Sequence, residues 1–218
     1  VVVEPGPGEG AVTWRLARVA ARVVAVERDA RLADRLARRA PPNVTVRRAD
    51  FRAVSPPAGE FHLVGNIPFS VTSDIVAWCL DAASLRSATM VTQLEYARKR
   101  TGGYHRWSLL TVSTWPEFDW SFHGRVERGA FRPVPGVDAA ILRLTRRARP
   151  LLAPGRMGLW RETVEAGFTG RGGSLAASLA LVHPARRVKA AFARAGLDTR
   201  VPVGHVGPGD WLAVFAHL

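Results

Sequence analysis

The chain has 218 residues, of which 47% are hydrophobic, so it is long enough for one large buried core and a smaller second one. It has no run of about 18 apolar residues, which excludes a membrane-spanning helix, and its single cysteine, Cys79, excludes an internal disulfide and fits a cytoplasmic protein. The net charge of +13 rests almost wholly on arginine, which predicts a polyanionic partner, either RNA or DNA.

The first two-thirds of the chain alternate short β-branched runs with helical patterns. Strands are predicted over residues 1–3, 23–26, 44–46, 61–64, 89–92, 109–114 and 139–144, and helices over 9–20, 31–39 and 72–83. This alternation predicts a parallel sheet covered by helices on both faces. A short connection around Pro116 leads to the run 118–122, so the closing strands are expected to form an antiparallel edge.

The sequence pattern changes after Leu144. A basic junction over 146–150 is followed only by helical patterns, which Gly and Pro residues separate from one another. These helices are predicted over 160–168, 174–181, 185–195 and 210–217. We therefore predict two domains: an α/β domain over 1–147 and a small all-helical domain over 148–218.

A glycine-rich segment follows the first strand. Glu4, Gly6 and Gly8 lie in Glu-Pro-Gly-Pro-Gly-Glu-Gly, where glycines let the backbone approach a ligand closely at the carboxyl edge of a sheet. The segment lacks the lysine of a phosphate-binding P-loop. By itself it predicts either a nucleotide-containing cofactor or a tight turn that binds nothing.

Two carboxylates end the next two strands. Glu27, followed by Arg28, stands about 20 residues beyond the glycine segment, where a carboxylate can accept hydrogen bonds from both hydroxyls of a ribose. Asp50 could accept from an adenine amino group, with Phe51 packed near the ring. This order favours S-adenosyl-L-methionine (SAM) over a nicotinamide cofactor. The alternatives are a solvated carboxylate for Glu27 and a helix N-cap for Asp50.

The end of the fourth strand carries the most specific motif, Asn66-Ile67-Pro68-Phe69, and Asn66 is also expected to contact the cofactor. It resembles the signature of adenine N6-methyltransferases. Together with the glycine segment and the later Phe-Arg-Pro-Val-Pro-Gly-Val-Asp over 131–138, it is similar to the erythromycin-resistance family of 23S rRNA methyltransferases. The resemblance implies a Rossmann-like class I SAM methyltransferase sheet with a helical C-terminal domain. It also implies macrolide, lincosamide and streptogramin B resistance.

The chemistry explains why these residue types are needed. The lone pair of an adenine N6 is delocalised into the ring, so the amine is a poor nucleophile. If the Asn66 side-chain oxygen and the Ile67 carbonyl accept the two N6 hydrogens, the nitrogen can aim its lone pair at a methyl group. Pro68 fixes the turn, and Phe69 offers a face for a flipped base. Phe131 is expected to close the other side of the base, or else to be a core residue.

Basic residues cluster near predicted loops and helix ends and are expected to form an RNA-binding surface. They are Arg98, Lys99, Arg100, Arg106, Arg146, Arg147, Arg149, Arg171, Arg186, Arg187 and Lys189. Trp107, next to Tyr104 and basic residues, is the stacking candidate. No histidine pairs with cysteine or carboxylates at metal-ligand spacing, so no metal site is predicted.

Several alternatives remain open at this stage. The related small-subunit 16S rRNA dimethyladenosine transferases share the core, with Tyr more often at the position of Phe69. A non-catalytic nucleic-acid-binding relative and a nicotinamide-dependent oxidoreductase are the other two. We expect a monomer that acts on 23S rRNA before ribosome assembly. The chain lacks an initiator Met and the family's Gln-Asn-Phe-like segment, so we expect its natural N-terminus to lie upstream.

Overall fold

The computed structural model describes all of residues 1–218 and divides into two compact units. The first comprises Val1–Leu94 and Ser121–Arg146, and the second comprises Glu95–Trp120 and Arg147–Leu218. This division differs from the predicted boundary at residue 147, because residues 95–120 group with the C-terminal helices. The physical reason is that Val112 is buried in the helical core and Trp107 packs against it. No helix has the length and apolarity needed to cross a bilayer.

Seven strands form one mixed sheet. They are β1 Val2–Pro5, β2 Val23–Glu27, β3 Val44–Arg48, β4 Phe61–Asn66, β5 Leu85–Gln93, β6 Phe118–Val126 and β7 Ala139–Arg146. Their order is β3-β2-β1-β4-β5-β7-β6. The first five strands pair in parallel, and β7 runs antiparallel to β5. The predicted Rossmann-like sheet and its antiparallel end are therefore confirmed.

Three helices belong to the first unit: α1 Thr13–Val19, α2 Ala30–Arg39 and α3 Thr72–Asp81. Helix α1 begins later than predicted, because Gly8 and Gly10 adopt φ values of +56° and +87° that a helix does not allow. Asp29 caps the start of helix α2. Its side-chain oxygen accepts hydrogen bonds from the backbone N–H groups of Arg31 and Leu32, at 2.8 and 3.0 Å.

Residues 109–114 are a helix, and the prediction of a strand there is wrong. The β-branched residues of this segment suggested a strand, but Ser108 caps the helix by accepting from the Thr111 backbone N–H at 3.4 Å. The hydroxyl of Thr114 donates to the Leu110 carbonyl at 2.7 Å, one turn earlier. These local hydrogen bonds stabilise the helical backbone in a segment whose side chains also suit a strand.

Six helices make up about half of the second unit. They are α4 Leu94–Arg100, α5 Leu109–Thr114, α6 Met157–Phe168, α7 Leu175–Leu179, α8 Ala185–Ala195 and α9 Pro208–Phe215. Helix α4 was not predicted, whereas the last four match predicted helices. Their core is aromatic: Trp160 packs edge-on against Phe215 at 5.1 Å between ring centroids, and Phe168 stacks on Trp211 at 5.8 Å. The Trp160 indole N–H donates to the Ser113 carbonyl at 3.0 Å, which joins α5 to this core.

We predict that Gly167→Ala destabilises the protein, because the added Cβ would overlap the buried Trp211 ring and lie 2.7 Å from Leu175 Cδ1. Overpacking of this kind costs about 1–3 kcal/mol. Gly158→Ala is the matched control on the same helix, since no atom lies within 4 Å of its added Cβ. It should stabilise the protein by up to about 1 kcal/mol. Urea unfolding of both variants checks this, and equal stabilities would contradict the packing described here.

Candidate functional site

A cavity of about 210 Å³ lies at the carboxyl ends of the parallel strands. Such an edge is where open α/β sheets bind ligands, at the point where the strand order reverses. In this sheet the reversal occurs at β1, which has β2 on one side and β4 on the other. Six predicted site residues line the cavity: Gly6, Glu27, Arg28, Asp50, Phe51 and Pro68.

The glycine segment forms the turn between β1 and α1. Gly6 has φ +63°, and its N–H donates to the Val26 carbonyl at 2.9 Å, which ties the turn to β2. A Cβ at Gly6 would lie 3.5 Å from the Pro68 ring, so the turn and the Asn66–Phe69 motif are neighbours. Gly8 does not line the cavity; its N–H donates to Glu27 Oε2 at 3.1 Å. The turn therefore both approaches the cavity and orients Glu27.

Glu27 is buried at the end of β2, with its carboxylate held in one orientation. Its Oε1 accepts from the Asp29 N–H at 2.9 Å, while Oε2 accepts from Gly8. A carboxylate oxygen has two lone pairs, so each oxygen can accept a further hydrogen bond from a ligand in the cavity. Glu27 is therefore not the solvated carboxylate of the alternative interpretation.

Asp50 has the N-cap role that was the alternative interpretation, and it also lines the cavity. Its Oδ1 accepts from the Arg52 N–H at 3.0 Å, and its Oδ2 pairs with the Arg52 guanidinium at 2.6 Å. These hydrogen bonds lower the pKa of Asp50 to about 2, so the group is an anion at neutral pH. Phe51 is buried beside it and packs on Trp78 at 4.7 Å between ring centroids.

Glu4 is placed differently from the other predicted cofactor residues. It does not line the cavity, and its side chain is buried, with 1% of the residue exposed. Its Oε2 has no hydrogen-bond partner. Burial raises the pKa of Glu4 to about 7, and the nearby Thr13 hydroxyl opposes this shift only in part. Glu4 is therefore largely protonated at mildly acidic pH.

The Asn66–Phe69 motif occupies the end of β4, beside the glycine turn. The Ile67 N–H donates to the Val91 carbonyl on β5 at 3.2 Å, and its side chain is buried. The Pro68 carbonyl accepts from the Val71 N–H at 3.1 Å, which closes the turn before α3. Asn66 is exposed and Phe69 half-buried, so the Asn66 amide and part of the Phe69 ring are accessible to a ligand.

Gly65 is a site residue that sequence analysis missed. A Cβ here would lie 3.0 Å from Pro5 Cδ and 3.2 Å from the Pro5 carbonyl oxygen. Only glycine therefore lets β4 approach the end of β1 this closely without a shift of the backbone. The sequence signal was present in the glycine directly before Asn66, but its meaning depends on the pairing of β1 with β4.

Phe131 is half-buried and does not line the cavity, so the structure does not bring it together with the predicted cofactor residues there. It lies in the segment between Arg128 and Asp138, and these two residues are hydrogen-bonded to each other. The Asp138 carboxylate accepts from the Arg128 N–H at 3.0 Å and pairs with Arg125, and its backbone carbonyl accepts from the Leu94 N–H. The Arg128 N–H and the Arg125 guanidinium lower the pKa of Asp138. Asp138 is a second residue whose role the sequence did not reveal.

Two of the arginines predicted to form the RNA-binding surface are half-buried and make hydrogen bonds within the protein. Arg146 donates to the backbone carbonyls of Leu85 and Ala82 at 3.1 and 3.0 Å. The Arg147 guanidinium donates to the Trp115 carbonyl at 3.0 Å and lies 5.1 Å from the centre of the Trp115 ring. Other members of the basic set are exposed: Lys99, Arg106, Arg149, Arg171, Arg186, Arg187 and Lys189.

Comparison with known proteins places this arrangement in a family. The sequence model for ribosomal RNA adenine dimethylases matches residues 1–218. The chain belongs to the ribosomal RNA adenine dimethylase family. Its fold agrees: the crystal structure of the 23S rRNA methyltransferase ErmE superposes with a TM-score of 0.94 at 49% identity, covering 100% of this chain and 90% of that one.

Similarity to individual curated proteins supports the assignment to this family. An rRNA methyltransferase of Streptomyces thermotolerans is 56% identical over 100% of this chain and 74% of its own length. The mycinamicin-resistance protein MyrB of Micromonospora griseorubida is 33% identical over 98% of this chain and 68% of its own length. A small-subunit methyltransferase A of Acidobacterium capsulatum is 36% identical, but over 68% of this chain and 56% of its own length. The chain spans 58% to 74% of the length of four of the more similar relatives.

We predict that Glu4 makes the stability of this dimethylase-family protein pH-dependent. Its folded-state pKa of about 7 lies above the unfolded value of 4.5, so its contribution is complete below pH 4.5 and is lost as pH rises through 7. Between pH 5 and pH 8 the loss should be about 2–3 kcal/mol. The neutral Glu4→Gln variant should lack this loss.

The measurement is the free energy of unfolding in urea at both pH values. Glu9→Gln is the control, because Glu9 is an exposed carboxylate in a surface ion pair with Arg35. Its profile should parallel that of the unsubstituted protein. Parallel profiles for Glu4→Gln as well would show that Glu4 is not protonated in the folded state.

Proposed function

We propose that the chain transfers a methyl group from SAM to the N6 amine of an adenine in 23S rRNA, once or twice, and so confers resistance to macrolides, lincosamides and streptogramin B. The observation that carries this proposal is the position of Asn66-Ile67-Pro68-Phe69. The motif lies at the sheet edge directly beside the glycine turn, and Pro68 itself lines the cavity. The likeness to ErmE over the whole chain supports the same reaction.

The residues around the cavity fit SAM. Glu27 would accept from the ribose hydroxyls with the oxygens that Gly8 and Asp29 already orient. Asp50 would accept from the adenine amino group, with Phe51 and Arg28 beside the ring. Gly6 would allow the backbone to approach the remainder of the molecule. When bound, SAM supplies an electrophilic methyl group on a sulfonium. Glu4 would act from the interior, by supporting the turn.

The motif is built to position a weak nucleophile. The Asn66 side-chain oxygen and the Ile67 carbonyl would accept the two N6 hydrogens, which localises the nitrogen lone pair and aims it. The backbone that carries these two acceptors is restrained in advance, because the Ile67 N–H donates to the Val91 carbonyl on β5 and Gly65 packs on Pro5. Phe69 would stack on the flipped base, and Phe131 would close over it. This scheme requires neither a strong base nor a metal.

The small-subunit 16S rRNA remains the second candidate substrate. The similarity to the small-subunit enzyme from Acidobacterium capsulatum is confined to about two-thirds of the chain, whereas the Streptomyces thermotolerans relative and ErmE match all of it. This difference favours 23S rRNA. The complete Asn66–Phe69 motif argues against a non-catalytic relative, and the family argues against a nicotinamide-dependent oxidoreductase.

The net charge of +13 supports a polyanionic substrate. We propose that the substrate is 23S rRNA before ribosome assembly, in the cytoplasm, and that the enzyme acts as a monomer. The domain over 1–147 would carry the methyl transfer, and the helical domain over 148–218 would contribute to RNA binding through its exposed arginines.

The deciding experiment uses tritiated SAM with separate samples of protein-free 23S and 16S rRNA, followed by nucleoside analysis. Label in 23S rRNA as N6-methyladenosine or N6,N6-dimethyladenosine is the expected result, and it also gives the number of methyl groups. Label confined to 16S rRNA would assign the chain to the small-subunit enzymes. No label in either RNA would contradict the proposed activity.

We predict that Asn66→Ala lowers single-turnover methyl transfer about 100- to 1000-fold, because the variant loses one of the two acceptors for the N6 hydrogens. SAM affinity, measured by equilibrium dialysis, should stay within about twofold, since Asn66 does not line the cavity. Undiminished transfer by this variant would refute the role of Asn66 in positioning the amine.

We predict the opposite pattern for Asp50→Ala. The loss of a hydrogen bond to a charged acceptor should weaken SAM binding about tenfold or more, with transfer largely restored at saturating SAM. Asp198→Ala is the matched control. Asp198 accepts from the N–H of Arg200 and pairs with its guanidinium at 2.7 Å, as Asp50 does with Arg52, but Asp198 does not line the cavity.

The control separates the loss of a local Asp-Arg turn from the loss of a ligand contact. Asp198→Ala should leave SAM affinity unchanged while having a similar small effect on thermal stability. If both variants bind SAM as the unsubstituted protein does, the adenine-binding role of Asp50 is wrong.

A further inference from the structure

An exposed tyrosine lies in an unusual backbone conformation between α4 and α5. Tyr104 and His105 both have positive φ, of 60° and 53°, and Gly102 before them has φ +73°. Residues with a side chain rarely adopt this conformation, and tyrosine is not among the residue types that favour it. The turn projects Tyr104 outward, so that 60% of the residue is exposed.

The ring is nevertheless held in one position. The Tyr104 hydroxyl donates to Glu95 Oε1 at 3.1 Å and accepts from the Arg98 guanidinium, and both partners lie on α4. The Arg98 guanidinium carbon is 5.0 Å from the centre of the Tyr104 ring. An exposed aromatic side chain that is fixed by two partners loses little conformational entropy when a ligand stacks on it.

Trp107, the stacking candidate from the sequence, packs under the turn that contains Gly102 and Tyr104. Its side chain packs against the helical core, and its backbone N–H donates to the Gly204 carbonyl at 2.7 Å. A Cβ at Gly102 would lie 2.5 Å from Trp107 Cζ2, so the turn rests directly on the indole. Trp107 therefore has a structural role, and Tyr104 is the aromatic ring that is presented to solvent.

The surroundings of the ring are cationic. Residues 95–106 contain Arg98, Lys99, Arg100 and Arg106 but a single carboxylate, Glu95, which is hydrogen-bonded to Tyr104 itself. Lys99 and Arg106 are exposed. A fixed, accessible aromatic ring among cations is the arrangement that binds unpaired nucleotides, with the base on the ring and the phosphates on the cations.

We propose that Tyr104 is a stacking platform for an unpaired base of the RNA substrate, separate from the target adenine. This inference rests on the proposed function, in that the substrate is rRNA. Stacking tolerates any base, so Tyr104 would select for single-stranded character and leave sequence to other contacts. The platform would thereby help the enzyme distinguish loops and bulges from continuous RNA duplex.

The test measures binding of the full chain to a short single-stranded RNA and to the same sequence as a duplex, over a range of salt concentrations. Tyr104→Leu should weaken binding to the single strand about tenfold and to the duplex less than about twofold. It removes no charge, so the slope of affinity against salt should not change. Tyr104→Phe keeps the ring and should bind the single strand within about twofold of the unsubstituted protein.

Three further variants make the result interpretable. Tyr104→Gly suits the positive φ, so it should fold at least as stably while losing single-strand affinity as Tyr104→Leu does. Arg106→Ala should weaken binding to both RNAs and reduce the salt slope by about one. Phe122→Leu, which removes another exposed aromatic ring, should leave both affinities unchanged.

Binding of the Leu and Gly variants at the unsubstituted affinity would overturn the inference, as would equal losses for the Leu and Phe variants. Failure of the proposed function is distinguishable. If the unsubstituted protein methylates 23S rRNA and Tyr104→Leu binds RNA normally, only the stacking role is wrong. If the unsubstituted protein neither binds RNA nor methylates it, both proposals fail.

Discussion

The close approach of β1 and β4 is the constraint on which the candidate site depends. These strands are about 60 residues apart in the chain, yet they pair in parallel, with Val2 opposite His62 and Val3 opposite Leu63. The strand order reverses at this pair, which opens a crevice at the carboxyl edge. Gly65 lets the backbone of β4 meet Pro5, and Gly6 lies beside Pro68. The glycine turn and the Asn66–Phe69 motif are therefore a single packed unit.

Three carboxylates at this edge have different environments, and these set their chemistry. Glu27 accepts two backbone hydrogen bonds, and Asp50 is paired with Arg52 and remains an anion at any ordinary pH. Glu4 lies in the interior, where burial without a charged partner favours the protonated form. Glu27 and Asp50 line the cavity and can accept hydrogen bonds from a ligand, whereas the Glu4 side chain is buried and does not line the cavity.

The second unit combines a rigid aromatic core with an exposed, strained turn. Trp160, Trp211 and Phe215 pack edge to face at its centre, and Trp107 extends this packing to the segment before α5. The positive φ at Tyr104 is tolerated because the turn is supported by Trp107 from below and by α4 through hydrogen bonds. The binding role proposed for Tyr104 rests on this fixed, exposed ring and on the cationic residues around it.

The sequence alone determined the fold class and placed most of the proposed cofactor-binding residues at one edge of the sheet. Alternating strand and helix patterns, the glycine segment and carboxylates at strand ends are local signals, and parallel strands bring their carboxyl ends to one edge. Gly6, Glu27, Arg28, Asp50 and Phe51 consequently line one cavity as expected. The Asn66–Phe69 motif is likewise a local signal, because it consists of four consecutive residues, and it could therefore be identified from the sequence.

The tertiary structure decided what depends on contacts between distant segments. Residues 109–114 have strand-forming side chains, but the Ser108 cap and the core around Trp160 make them a helix and move residues 95–120 into the second unit. Burial of Glu4 and the packing of Gly65 on Pro5 likewise arise only when β1 pairs with its neighbours. Local patterns in a sequence specify backbone preferences, whereas burial and close approach are set by residues far away in the chain.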